Sequence, residues 1–231
     1  QGDVLLALPQ RVTAAANSFT LLAAPFFMLA GLAMNTSGVT NRIYAFAESL
    51  VGWLRGGLAH VNVVGSVIFA GMSGSAVADA VGLGAIEIKA MTDEGYDRDF
   101  AAAVTAASAT IGPIIPPSVP MLVYAVTADA SIGRLFLGGV IPGLLMAGAL
   151  MVQLTWMSRR RGYPRRPFPR LHVVAARGWA ALPSLLTPAI LLGGMLGGAF
   201  TPTEAGVVAA AYALLLGLVI HRELRLRDLP R

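Results

Sequence analysis

Cysteine is missing from this chain, so it has no disulfide framework, no thiolate zinc site and no thiol nucleophile, and its redox compartment is not encoded. Charge is scarce as well: 13% of residues are Asp, Glu, Lys or Arg, against roughly 25% in an ordinary soluble domain. The three histidines, His60, His172 and His221, are scattered without helical pairing, which argues against metal binding and histidine catalysis. No Walker, GxSxG or dinucleotide pattern occurs, so no phosphate-cradling loop for ATP hydrolysis is expected. The chain starts Gln1-Gly2-Asp3, with no initiating Met and no charged n-region of a signal peptide, and is expected to be a partial sequence.

Apolar residues are abundant. They make up 56% of 231 residues, and the mean hydropathy is +0.70. A water-soluble protein this apolar would have to hide nearly every face, and a chain of this length has too much surface for that. Lipid removes the difficulty. The net charge of +5 does not point to nucleic acid, because the basic residues sit between apolar runs and not along one polar face.

A helix needs about 20 residues to span the roughly 30 Å of bilayer hydrocarbon. Ser18 to Asn35, Leu135 to Met157 and Trp179 to Gly198 are uncharged runs of that order, and Glu204 to His221 is a fourth span. Ile43 to Arg55 has apolar residues at helical spacing beside Glu48 and Ser49, which fits an interfacial or short packed helix. Trp53, Trp156 and Trp179 stand at the ends of apolar runs, where interface anchors are found.

Orientation follows from arginine. The segment from Arg159 to Arg177 and the end from Arg222 to Arg231 are basic and expected on the cytoplasmic side, with two spans between them. Leu58 to Gly84 begins near Arg55 and ends near Lys89, so it should dip into the membrane and turn back. The reading is an all-α polytopic transmembrane protein with a re-entrant helical hairpin and broken helices. Its segments are 1–57 (transmembrane and interfacial helices), 58–130 (hairpin and broken helix), 131–158 (transmembrane helix), 159–178 (basic loop) and 179–231 (two transmembrane helices and a basic end).

Two interruptions carry the functional reading. One is Gly71-Met72-Ser73-Gly74-Ser75; the other surrounds Gly112, Pro113, Pro116, Pro117, Ser118 and Pro120. Glycine weakens helix and proline removes a donor, so neither run is expected to continue one. In hydrocarbon an unpaired backbone group costs several kcal/mol, so such breaks survive only inside protein or beside a water-filled cavity. Freed carbonyls suit sodium, and the N–H groups that open a half-helix suit an anion. Near the first break Ser73, Ser75 and Asp79 supply oxygens, with Asp79 on the face of Ser75. Ser108, Thr110 and Ser118 bracket the second. Asp79 could instead lie at the cytoplasmic interface, with Ser75 as a helix cap. At Gly197 to Glu204, Thr201 or Thr203 capping a helix explains most of the pattern.

The breaks, their order and spacing resemble the large membrane subunit of tripartite ATP-independent periplasmic (TRAP) transporters. The stretches that carry the likeness are FAGMSGSAVADAVGLGAI (69–86), TIGPIIPPSVPMLVYAV (110–126), SIGRLFLGGVIPGLL (131–145), RRRGYP (159–164) and GGAFTPTEAGVVAAAYALL (197–215). The resemblance implies an elevator-type importer in the inner membrane with no cofactor and with Na+ as coupling ion. It also implies a small membrane subunit, a periplasmic solute-binding protein and a small carboxylate substrate as partners. Gly71, Ser73, Gly74, Ser75 and Asp79, with Thr110, Gly112, Pro113, Pro116 and Ser118, would line the sodium and substrate region. The family has two inverted repeats, of which this sequence would hold about one and the start of the second. A passive channel and an intramembrane enzyme using Asp79 and Glu204 are the competing readings.

Overall fold

The computed structural model describes residues 19–224; the expected span's first residue, Ser18, and the basic residues Arg225, Arg227 and Arg231 lie outside that range. Among the described residues every regular element is helical: α1 (Ala23–Thr36, entered by a short 3-10 turn, Phe19–Leu22), α2 (Val39–Val51), α3 (Gly57–Ser73), α4 (Ala76–Asp93), α5 (Arg98–Ala109), α6 (Val119–Thr127), α7 (Ile132–Arg160), α8 (Leu171–Leu196) and α9 (Pro202–Leu215), which runs on as a π turn, Leu216–Ile220. Four stretches are long and apolar enough to cross a membrane: Phe19–Thr36, Ile132–Arg160, Leu171–Leu196 and Pro202–Ile220. They correspond to the four unbroken spans expected from the sequence; Phe100 to Ala128, expected as a further, interrupted crossing, is divided between α5 and α6.

Helix α3 is the centre of the molecule. Fourteen of its seventeen residues are buried, on all sides. Its faces belong to two different apolar cores. Phe69 and Met72 pack with α1, α9, Leu83 and Leu191. Leu58, Val61 and Val63 pack with Phe100, Val104, Ala147 and Leu154 of α5 and α7. Helix α1 makes its broadest contact with α9, far away in sequence, where Gly206 admits Ala23 and Phe26.

Helix α7 is the reverse of α3. Only Phe136, Gly139, Gly143, Ala147, Leu154 and Ser158 are buried, a stripe at helical spacing, while Ile141, Leu145 and Val152 are exposed. Contiguous apolar exposure on this scale fits lipid as the solvent.

Two boundaries differ from the sequence reading. Helix α2 runs from Val39 to Val51, not from Ile43 to Arg55, because Gly52 closes it and the chain must turn into α3 through Gly56, at φ +69°. Helix α8 starts at Leu171, inside the expected basic loop, because the arginines there are too widely spaced to interrupt an apolar helix. The basic end is held by ion pairs and rings. Glu48 of α2 accepts from Arg166 and Arg177, Arg166 also meets Glu94, and Arg161 meets Asp97. Tyr163 stacks on Tyr96 at 4.2 Å between ring centroids, with Phe100 alongside.

Candidate functional site

The first break is short. Helix α3 continues through Gly71 and Ser73, and only Gly74 and Ser75 stand outside helix. Gly74 takes φ +60°, a left-handed conformation that a side chain resists, and closes α3 by bonding back to the Ala70 carbonyl at 3.2 Å. Ser75 then opens α4, its hydroxyl accepting from Ala78 N–H at 3.3 Å. Gly71 is a packing contact and not part of the break: a Cβ there would lie 2.9 Å from Pro188 of α8.

The second break runs from Thr110 to Ser118, between α5 and α6. Ser118 opens α6 as its N-cap, accepting from Met121 N–H at 3.2 Å and donating to the Pro113 carbonyl. Pro120 falls inside the first turn of α6, where a missing N–H costs nothing. Thr110 is exposed and donates back to Ala107 O, so it stands apart from the other candidates.

The breaks meet. Val119 N–H donates to the Gly74 carbonyl at 3.3 Å, and a Cβ on Gly74 would collide with the Pro117 carbonyl. Gly112 lies against the main chain of Ser75 and Ala76, where a Cβ would come within 3.2 Å of Ser75 C. Four half-helix ends, two C-terminal and two N-terminal, therefore converge on one buried spot. Ser73 sits there fully buried, its hydroxyl without a hydrogen-bond partner among the described residues, and Gly31 of α1 approaches its Cβ.

One turn into α4, Asp79 is 2% exposed, and among the described residues neither carboxyl oxygen has a hydrogen bond of normal geometry, although Ser66 of α3 faces it. Two turns further on the same face, Glu87 is equally buried, with Oε1 unpartnered and set against Gly65 of α3. Two carboxyl groups turned into the hairpin interior demand a cation, a proton or a donor. Asp79 therefore lies inside the protein and not at a polar boundary.

Sequence reasoning missed several neighbours. Asn62 of α3 donates to Thr105 at 2.7 Å and accepts from Ser108, tying the hairpin to α5. Asn35 of α1 faces Gly82 and donates to Ala78 O at 3.4 Å. Ser184 and Thr187 of α8, near the Pro188 that packs on Gly71, are buried, their hydroxyls without hydrogen-bond partners among the described residues. Only Glu87 carried a readable signal, its spacing of four and eight residues from Leu83 and Asp79. Glu204 is placed otherwise. It closes a capping box with Thr201, accepting from Thr201 N–H at 2.7 Å, and so serves the start of α9 and forms no pair with Asp79.

Comparison with known proteins decides the family. The model of the tripartite ATP-independent periplasmic transporter, DctM component, matches residues 2–231. The chain belongs to the DctM-component family. The TRAP permeases similar to it include the sialic acid TRAP transporter permease protein SiaT of Haemophilus influenzae, 46% identical over 98% of this chain and 37% of that protein. The sialic acid large permease SiaM of Vibrio cholerae is 50% identical over 94% of this chain and 51% of its own length. The C4-dicarboxylate large permease DctM of Vibrio cholerae is 44% identical over 90% and 46% respectively. The chain thus spans about half or less of the length of these curated relatives. As a DctM-component protein it is a multi-pass protein of the inner membrane and not an enzyme. The junction of the two breaks falls within the stretch shared with these permeases.

Proposed function

We propose that this chain forms the hairpin-bearing part of a sodium-coupled secondary transporter. That transporter imports small organic carboxylates handed over by a periplasmic solute-binding protein, with a small membrane subunit as its second partner. The observation that carries this reading is the convergence of four half-helix ends at Gly74 and Pro117, with the buried Ser73 hydroxyl there and the buried Asp79 carboxylate one turn into α4. Sodium prefers hard oxygen ligands, and freed carbonyls, a hydroxyl and a carboxylate supply them. The N-termini of α4 and α6 point positive dipole ends at the same spot, which favours a carboxylate cargo. Support for that cargo also comes from the relatives, whose names specify sialic acid and C4-dicarboxylates. Binding of ion and solute would bias a two-state movement of the hairpin, the elevator motion implied by the family.

The test is uptake into proteoliposomes by the complete transporter that carries this sequence, with its binding protein, across a sodium titration. Asp79→Asn and Ser73→Ala should each raise the sodium concentration for half-maximal uptake by roughly tenfold, the loss of one charge-assisted or hydroxyl ligand. Normal sodium dependence in both variants, or a sodium current that does not saturate, would refute the reading.

A further inference from the structure

At the basic end, away from the breaks, lies a partly open cavity of about 520 Å³ lined by Leu54, Arg55, His60, Thr155, Arg159 and Arg165. Three guanidinium groups share it, and among the described residues none of them meets a carboxylate, although the nearby Arg161, Arg166 and Arg177 all do. Backbone pairing enforces the crowding. Arg55 and Arg165 form a single antiparallel bridge, and Gly56 N–H donates to the Pro164 carbonyl at 3.1 Å. Their main chains are thereby held side by side, and their exposed guanidinium groups share one cavity. Arg159 stands in the last turn of α7, where it also complements the helix dipole, and Arg165 also lies over an indole ring; among the described residues Arg55 does neither.

The inner wall of the same cavity is formed by a buried histidine. His60, in the first turn of α3, is 1% exposed, and its Nδ1 makes no hydrogen bond of normal geometry, facing the Arg55 backbone. Its Nε2 lies 3.4 Å from Thr155 Oγ1. With one ring nitrogen turned to the Arg55 main chain and the other to Thr155, His60 closes the inner wall, and the donors an oxyanion would meet are the three guanidinium groups. Tryptophan marks the depth: Arg165 lies over the Trp53 ring at 5.8 Å, and Arg160 over Trp156 at 3.9 Å. Indole rings settle at the level of lipid headgroups.

We propose that this cavity binds a phosphate-bearing anion, held by Arg55, Arg159 and Arg165. At headgroup depth on the basic side of the membrane, its ligand is the phosphodiester of an anionic phospholipid. Guanidinium forks match phosphate oxygens in pairs, which a solvated arginine face would not need.

The test uses the complete transporter complex in nanodiscs, with retained lipids counted by native mass spectrometry. Phosphatidylglycerol is the probe, phosphatidylcholine the competitor and inorganic phosphate a separate arm. The wild type should retain phosphatidylglycerol selectively, and the Arg55→Gln/Arg165→Gln double variant should bind it about 30-fold more weakly. Arg160→Gln, whose guanidinium stacks on Trp156 outside the cavity, should bind as the wild type does. Thr155→Glu keeps the arginines and adds a competing carboxylate; it should expel the lipid even if the double variant does not fold. If inorganic phosphate binds and is lost in the same variants, while phosphatidylglycerol gains nothing over phosphatidylcholine, the site stands with soluble phosphate as its ligand. Equal retention of both probes by the wild type, the double variant and Thr155→Glu overturns the proposal.

Discussion

Helices α3 and α7 are both strongly apolar, yet they hide opposite things. α3 buries His60, Asn62, Ser66 and Ser73 with its hydrophobic residues, whereas α7 leaves Ile141, Leu144, Leu145 and Val152 exposed and buries a stripe that includes Gly139, Gly143 and Ala147. In water that distribution would be inverted. In lipid it is sensible, because the surrounding solvent is as apolar as leucine and the polar groups gain by meeting one another. Hydropathy alone does not separate the two helices. What separates them is whether a polar group on the helix finds a partner across the interface.

Three substitutions bear on that contrast. Gly74→Val should have the largest effect: the left-handed conformation costs about 1–2 kcal/mol and the overlap with the Pro117 carbonyl adds to it. Uptake by the complete transporter should be abolished and its thermal unfolding lowered; wild-type behaviour would mean that the hairpin tip is not held against the second break. Asn62→Leu should come next, since it takes the donor from the buried Thr105 hydroxyl at about 1–3 kcal/mol and leaves Ser108 only its bond to the Thr105 carbonyl. A clear fall in melting temperature is expected, and no fall would remove the polar tie as a source of stability. Ile141→Ala on the lipid face of α7 should be the mildest, within about 0.5 kcal/mol of wild type in the same assay. A large loss there would show that this face is covered by protein in the complete transporter.

Much of the fold was legible because the membrane imposes strong rules. The four spans, both breaks and the hairpin follow from run length and from glycine and proline placement. The extent of the first break was less legible. Gly71 looks like a helix breaker, but its smallness serves a contact with Pro188, more than a hundred residues away, which no local rule detects. Thr110 was grouped with the site by proximity in sequence, and it turned back to Ala107 because its own helix offered the nearer acceptor. Asn62 could not be paired in advance, since its partners lie 43 and 46 residues off. The resemblance to TRAP permeases rested on short motifs around the breaks, and the family match covers nearly the whole chain.

The short link between α2 and α3 has one more consequence. Gly56 is hydrogen-bonded to Pro164, and Arg55 is bridged to Arg165, so the foot of the central helix is laced to the segment that follows α7. Any travel of α3 across the bilayer must either drag residues 163–166 along or break those main-chain links. With those links kept, the proposed movement of the hairpin would involve a body larger than the two helices themselves.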